Sequence, residues 1–443
     1  MYGNCMSLIS TLQFSLFIGS ALLLSACGDE ANQGIDTLFE DKDYSGDISW
    51  PPSQDASCPA WRIGEVVNIT SSITLPKNCS YTQVTFRITK SNIEFNCNGA
   101  VLNGIKELNR HRFGDSYTTA QAPKNTAFQV VASEGELARL QNVTISNCQI
   151  VNYIHGADIN YALSSLTIKN LKQGLVSEDL LRSKAPTNIK VTNSKIINAH
   201  GSGVYVYRYI TDFQLVNSSI KGAGGPGLYL DAGTQSASIK NSSFEGNGFS
   251  SYDDTTRTRA ARRSDDAKRE GIAVDASGQH LISGNLFKDN GDGGVYLYKN
   301  CWENYTQPNE WPRLEGANNN KIENNTFFNE TVGVWIAERA DRDLADFVCG
   351  DLLALQEGNK KYYRDYATGN TITNNKFDLI TTAIKVMDDN SIIEKNSFSR
   401  IEKYDIDIGS RVRLSLGDAV FNTSIDSNTF SKANSVRFQY GAQ

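Results

Sequence analysis

The phrase Val191-Thr-Asn193-Ser-Lys-Ile196 returns as Leu215-Val-Asn217-Ser-Ser-Ile220 and again as Ile239-Lys-Asn241-Ser-Ser-Phe244, each time 24 residues further on. An earlier copy stands at Ile145-Ser-Asn147-Cys-Gln-Ile150. Later ones run from Ile282 to Phe287, Ile322 to Phe327, Ile372 to Phe377, Ile393 to Phe398 and Ile425 to Phe430, with the Asn moved one place on (Asn285, Asn325, Asn375, Asn396, Asn428). Many copies are followed by a Gly-apolar-x-apolar strand: Gly203-Val-Tyr-Val206, Gly227-Leu-Tyr-Leu230, Gly271-Ile-Ala-Val274, Gly294-Val-Tyr-Leu297 and Gly333-Val-Trp-Ile336. A period of this size is that of a solenoid unit. Each period reads as two short strands with Asn or Gly at the corners, too little to close a core alone. Units must therefore stack about 4.8 Å apart, pairing each backbone group with the next coil. Asn suits a corner because it tolerates left-handed backbone and ladders with its copies, so Asn-x-Ser/Thr matches such as Asn217 and Asn241 read as corner chemistry rather than glycosylation sites. Parallel crossovers are right-handed. The expected fold is all-β: a right-handed parallel β-helix with long loop insertions on one side.

Upstream of the repeat, the apolar stretch Leu8 to Ala26 is too short and weakly flanked for a transmembrane helix and ends in Leu24-Ser25-Ala26-Cys27. That ending resembles a bacterial lipobox. The resemblance implies a signal peptide over 1–26, lipidation of Cys27, and attachment to the membrane by lipid chains. Gly28 rather than Asp after the Cys implies the outer membrane, on its periplasmic or cell-surface face. Residues 27–57 are polar and acidic and read as a flexible tether, leaving 58–443 for the β-helix. Six cysteines (Cys58, Cys79, Cys97, Cys148, Cys301, Cys349) fall in that domain without a Cys-x-x-Cys spacing, which suits an oxidising compartment. With a net charge of -6 and no basic run long enough to track a phosphate backbone, nucleic acid is excluded as a partner.

The corner repeats, with the entry segment Asn92-Ile-Glu-Phe-Asn-Cys-Asn-Gly-Ala-Val-Leu102, resemble the pectate-lyase-like parallel β-helix superfamily over roughly residues 65–440. The resemblance implies a polysaccharide partner and lyase, epimerase or hydrolase chemistry, although the same architecture also serves adhesins and phage spikes. The Asn-Thr-Asp, Gly-His-Gly and Arg-Ile-Lys set of polygalacturonases and the Asp-Pro-His-Asp of mannuronan epimerases are missing, so those mechanisms are not carried over.

Aligning the Gly-led strands places equivalent outward positions in columns. The first reads Tyr205, Tyr229, Ala273, Tyr296, Trp335, Lys385 and the second Tyr207, Asp231, Asp275, Tyr298, Ala337, Met387. Beyond them come Arg208, Lys299 and Glu338, then Arg339. Exposed aromatic rings in register form a flat strip on which sugar rings stack, which makes Tyr205, Tyr229, Tyr296 and Trp335 candidate substrate platforms, with Arg339 and Arg269 beside them. Asp231 and Asp275 are expected on adjacent coils with carboxyl groups about 5 Å apart, close enough for coupled titration. By resemblance the pair would bind Ca2+ that clamps a uronate. Alternatively it shares a proton for hydrolysis, or orients Lys299 and Arg208. Lyase or epimerase chemistry needs a base and an acid from Lys, His, Arg or Tyr, which Tyr207, Tyr298, Lys299 and Arg208 supply. Of the four His, His200 at a corner beside the column is the candidate base. The plain alternative is a solvated strand face with edge-protecting charges.

Insertions interrupt the coils beside these columns. Ser251 to Glu270 mixes six basic with five acidic residues and reads as a solvated or helical lid. Long loops after Lys299 and Arg339 carry Cys301 and Cys349, whose disulfide would tie them over the groove. The functional expectation is a surface-anchored protein acting on a uronate-containing polysaccharide as a lyase or C5-epimerase. Glycoside hydrolysis by the paired Asp, or non-catalytic glycan binding, are the alternatives.

Overall fold

The computed structural model describes residues 44–105, 126–135, 138–253, 258–261, 268–307 and 310–443. Cys27, the expected signal peptide and most of the expected tether lie outside these residues. The described chain winds into a right-handed parallel β-helix with three strands per turn rather than two. In one coil Gln214–Val216 belongs to the third sheet, Ser219–Lys221 to the second and Leu228–Leu230 to the first. The third sheet stacks 11 strands, and the other two are joined into one 20-stranded set. They join because Lys376–Val386 and Ser397–Ile408 run through the corner unbroken, bending at Leu379 and Arg400, both with positive φ.

The extra strand explains the wandering Asn. The phrase spans a corner, so its two apolar ends lie on different sheets. The corner has two adjacent positions, one in left-handed backbone and one whose side chain points along the stack. Asn193, Asn217 and Asn241 take the first at φ 50–51°, and Ser194, Ser218 and Ser242 take the second. Later coils put Gly284, Asn324, Asn374, Lys395 and Ser427 in the left-handed place and the recurring Asn in the ladder. There Asn285, Asn325, Asn375, Asn396 and Asn428 each accept, through the side-chain oxygen, backbone and side-chain N–H bonds of 2.8–3.1 Å from the preceding coil, except that Ser242 donates to Asn285 through its backbone alone. Beneath the ladder Phe244, Phe287, Phe327, Phe377, Phe398 and Phe430 form one stack, with ring centroids 4.7–6.0 Å apart. Each fully buried ring contributes roughly 1.5–3 kcal/mol of apolar burial.

Glycine leads the first-sheet strands for a packing reason. A Cβ on Gly294 would lie 2.5 Å from the Phe327 ring and 2.7 Å from the Gly333 carbonyl, and one on Gly227 would meet Phe244 and the Gly271 carbonyl at 2.8 Å. The glycine column lets the backbone settle onto the aromatic stack.

Insertions leave the coil mainly where the first sheet turns into the third. One is a pair of helices, Ser165–Lys172 and Glu178–Lys184, capped by Ser164 and Ser177. The lid expected over Ser251 to Glu270 is instead an antiparallel hairpin, Ser250–Asp253 with Thr258–Ala261, which leaves the coil before the first-sheet strand Glu270–Asp275. The last part of the expected tether is also ordered: Ile48 is buried against Val101, Val151 and Ile197 on the outer face of the second sheet, and Asp47 pairs with Lys221 at 2.9 Å. Disulfides join Cys58 to Cys79, Cys97 to Cys148 and, as expected, Cys301 to Cys349. Among the described residues no helix is long and apolar enough to cross a membrane.

Candidate functional site

On the outer face of the first sheet the pairing register runs Asp158, Tyr205, Tyr229, Ala273, Tyr296, Trp335, Lys385, Asp407, Arg437. The columns inferred from the alternation of the Gly-led strands are thus real neighbours, because inside-outside alternation has period two and coils stack in register. Outward does not mean exposed, however. Residues 299–307, 310–320 and 337–366 bring Arg313 onto Asp275 and Arg339 onto Tyr298, and Tyr296 packs against Trp335, so Tyr296 and Tyr298 are 1% exposed and Tyr205, Tyr229 and Trp335 half-buried. The open strip of four platforms is corrected to three, and Tyr296 instead donates its hydroxyl proton to the Asp292 carbonyl at 2.8 Å. Tyr205 and Tyr229 do stack face to face, 4.8 Å apart and 8° from parallel.

The carboxylate pair is fully buried and already has its cations. Arg313, from the covering loop, lies with Nε 3.0 Å from Asp275 Oδ2 and Nη2 3.7 Å from Asp231 Oδ1, and Arg208 Nε is 3.3 Å from Asp231 Oδ2. Tyr229 and Tyr205 donate to Asp275 and Asp231 at 2.7 and 3.2 Å, while the backbone and side-chain N–H groups of Asn300 close on Asp275 at 2.9 and 2.7 Å. Burial pushes the Asp275 carboxyl up, but Arg313, Asn300 and Tyr229 outweigh it and hold it below the ordinary carboxylate range. Two carboxylates against two guanidiniums make a closed ion-pair network, so the proton-sharing pair is corrected. Calcium does not fit either, since Arg313 bridges the two carboxylates a cation would bridge. Among the described residues no group of three or more His, Cys, Asp or Glu is arranged to hold a metal.

The other expected residues divide by burial. Lys299 is buried, its ammonium paired with Asp351 across the covering loop, so it is not a free base. His200 is fully buried rather than open to the groove, and is corrected as a base facing it. Burial holds the Tyr298 hydroxyl well above its usual range, and it accepts from Arg269 Nη2 at 2.7 Å and donates to Glu270 at 3.2 Å. Arg339 lies over the Tyr298 ring at 4.8 Å with Nε 3.1 Å from Glu338, yet neither its Nε nor its Nη1 makes an aligned hydrogen bond. Tyr207 and Arg208 remain half-buried, with the Arg208 guanidinium on the Trp311 ring at 4.9 Å.

The structure adds residues that the repeat did not single out. Lys385 ends the aromatic column with Nζ 3.2 Å from the Trp335 ring centroid. Burial lowers its pKa to about 8, against the raising charges of Asp407, Asp292, Glu338 and Asp341. Asp292, half-buried before Gly293, is pushed up to about 8 by burial and then by Glu338 and Glu270, with Arg269 and Lys385 opposing. A carboxyl and an amine that both titrate near pH 8 thus lie close enough to feel each other's charge, beside Trp335 and Arg269. Lys385 was visible in the first column, but nothing in the sequence marked Asp292. At the other end of the strip Asp158 accepts from Thr126 through Oδ2, while its buried Oδ1 has no partner.

No curated protein matches the chain in sequence. Among solved structures it is similar to the catalytic domain of a GH87 alpha-1,3-glucanase in complex with nigerose (11% identity, 85% of this chain and 64% of that one, TM-score 0.39). It is also similar to a periplasmic alginate epimerase (13%, 82% and 76%, TM-score 0.41) and to a mutant tailspike protein of an E. coli bacteriophage in complex with a pentasaccharide (10%, 83% and 57%, TM-score 0.46). The chain therefore spans 64% of the length of that glucanase domain. The sequence model described as "Right handed beta helix region" matches residues 77–310 and 180–345, more than half of the chain, including the coils that begin the ladder and the phenylalanine stack. By that match and by its coils, the chain belongs to the right-handed β-helix family.

Proposed function

We propose that this is a carbohydrate-active protein, lipid-anchored through Cys27 to the outer membrane, that acts on a uronate-containing polysaccharide by proton abstraction, as a lyase or C5-epimerase. The observation that carries this is Lys385 on Trp335 beside Asp292: a base and an acid whose pKa values both lie near 8, at the end of a strip of aromatic rings. Such matching to the working pH is what general acid–base catalysis requires. A sugar ring set beside Trp335, whose face Lys385 occupies, turns one edge to Lys385 and the other toward Arg269. Arg269, half-buried at the edge of the cluster, takes the substrate carboxylate and stabilises the charge that grows on it as the neighbouring C–H is broken, while the buried Arg339 adds positive charge from behind. The neutral Lys385 amine accepts that proton. In elimination, the electron pair forms the C4–C5 double bond, the C4–O bond breaks, and Asp292 gives its proton to the leaving oxygen. In epimerisation, Asp292 returns a proton to the opposite face of C5.

A hydrolytic reading has one observation in its favour: Glu338 is held below its ordinary range by Arg339 and Arg342 although burial opposes this, so a protonated and an ionised carboxyl share the cluster. Glu338 is nevertheless buried and paired with both arginines, which removes it as a nucleophile. Incubation with a panel of uronate polymers distinguishes the readings. Absorbance of unsaturated uronate indicates a lyase, deuterium uptake at C5 without chain cleavage an epimerase, and new reducing ends without that absorbance a hydrolase. Binding with none of the three leaves a glycan-binding protein and overturns the catalytic reading.

A further inference from the structure

One residue after Arg313 the covering loop turns away from the strip, and Leu314, Glu315 and Gly316 lean over the corner between the first and third sheets. They border an open cavity of about 590 Å3, within the range of small-molecule sites. Its floor is made by successive coils: Gln235 pairs with Gly278, Gln279 N–H donates to Asn318, and Asn319 N–H donates to Thr368, the last two at 3.0 Å. The floor side chains therefore step up the solenoid in register.

We propose that this cavity is a second binding site, taking a neutral sugar unit and separate from the strip. Three observations select that ligand class. The apolar lining is small and specific: the Tyr366 ring, 46% exposed, and Leu314, 57% exposed, offer one flat platform and one edge, enough for the C–H face of a pyranose but not for a lipid. The polar lining is mostly amide: Gln279 and Asn319 offer donors and an acceptor, and Gln235, whose Nε2 donates to Glu315, offers its acceptor, which matches vicinal hydroxyls that are donors and acceptors at once. Finally, among the described residues lining the cavity no cation is left over for an anion. Glu315 is balanced by Arg182 at 2.9 Å and receives Gln235 Nε2 at 3.1 Å, while Arg364, 5.5 Å from the Tyr366 ring, is paired with Asp418. A phosphate, sulfate or uronate would meet a carboxylate and no free counter-charge, so charge selects against the substrate class proposed for the strip. The site reads a different, uncharged part of a glycan.

The test is calorimetric titration of gluco-, manno- and galacto-configured neutral trisaccharides, with a uronate trisaccharide alongside, into the wild-type protein and the variants Tyr366→Ala, Gln279→Ala and Trp335→Ala. Tyr366 and Gln279 are exposed, and the thermal transition of each variant is measured to show that the fold is kept. The expected result is that at least one neutral trisaccharide binds the wild type, that Tyr366→Ala weakens it about tenfold or more, and that Trp335→Ala leaves it unchanged. Binding of neutral sugar that survives both cavity variants and is lost in Trp335→Ala overturns the proposal by moving the sugar to the strip. Failure of every neutral trisaccharide to bind overturns it outright. Neither result bears on the strip, whose reading stands or falls on uronate turnover.

Discussion

Arg313 Nε lies 3.0 Å from Asp275 Oδ2, joining a covering loop to a strand 38 residues earlier in the chain, and the same guanidinium reaches toward Asp231 at 3.7 Å. A repeat that places two carboxylates on adjacent coils is thus completed by a residue outside the repeat. Removing the guanidinium leaves two buried like charges facing each other. Arg313→Met is expected to destabilise the fold by about 3–5 kcal/mol, the cost of breaking a buried pair. Asp275 has its pKa lowered in the folded state, so its contribution to stability is present above the ordinary carboxylate pKa and is lost as pH falls through the folded value. Without Arg313 the shift reverses, and the variant gains stability relative to wild type as pH falls from 7 to 4. Urea unfolding midpoints at the two pH values check this. Equal losses at both would show that Arg313 acts by packing alone.

A second prediction concerns the corner ladder. Asn325 N–H and Nδ2 donate to Asn375 at 2.9 and 3.0 Å, and its oxygen accepts the two bonds from Asn285, all buried. Asn325→Ala keeps the backbone but leaves buried partners on both neighbouring coils unsatisfied, at about 1–3 kcal/mol each. A drop of that size in unfolding free energy is expected, with faster hydrogen exchange at the backbone N–H of Asn285. Asn217→Ala tests the left-handed place instead and has its cost in backbone strain, roughly 1–2 kcal/mol.

These two cases show what the sequence could and could not convey. The column from Tyr205 to Lys385 was legible because it needs only alternation along a strand and registry between coils, both fixed by repetition. The Cys301 to Cys349 bond was legible because both cysteines open loops after neighbouring first-sheet strands. Arg313 was not: its loop occurs once, and no spacing rule links it to Asp275. The cover of Arg339 over Tyr298 was hidden for the same reason, since exposure depends on what non-repeating chain folds over a face. The third strand of each coil was missed because the Asn phrase was taken as one strand. The left-handed Asn217 breaks it in two.

A third prediction tests anchoring. If Cys27 carries the lipid, Cys27→Ser produces a protein that no longer incorporates labelled fatty acid and moves from the membrane to the soluble fraction. Continued sedimentation of the unlabelled variant with the outer membrane would instead assign attachment to another part of the chain.

The last prediction follows from Lys385 and Asp292 titrating in the same range from opposite directions. Lys385 has a lowered pKa, about 8, and is needed neutral, so activity rises with pH through that value. Asp292 has a raised pKa, also about 8, and is needed protonated, so activity falls as pH rises further. The expected kcat/KM profile is a narrow bell centred near pH 8, and the two values belong to the pair, because each group feels the other's charge. Lys385→Arg keeps the cation over Trp335 but fixes it in the charged form, so turnover should fall by about 10²–10⁴ while polymer binding stays near wild type. Asp292→Asn should flatten the alkaline limb and leave the acid limb in place. Stability supplies a readout independent of turnover: Asp292 contributes stability below its ordinary pKa that is lost as pH rises through about 8, so Asp292→Asn should hold its thermal transition above pH 8 better than wild type does. A profile centred well away from pH 8, or unchanged turnover in Lys385→Arg, would remove the pair as acid and base and shift attention to Asp158 and Tyr207 at the other end of the strip.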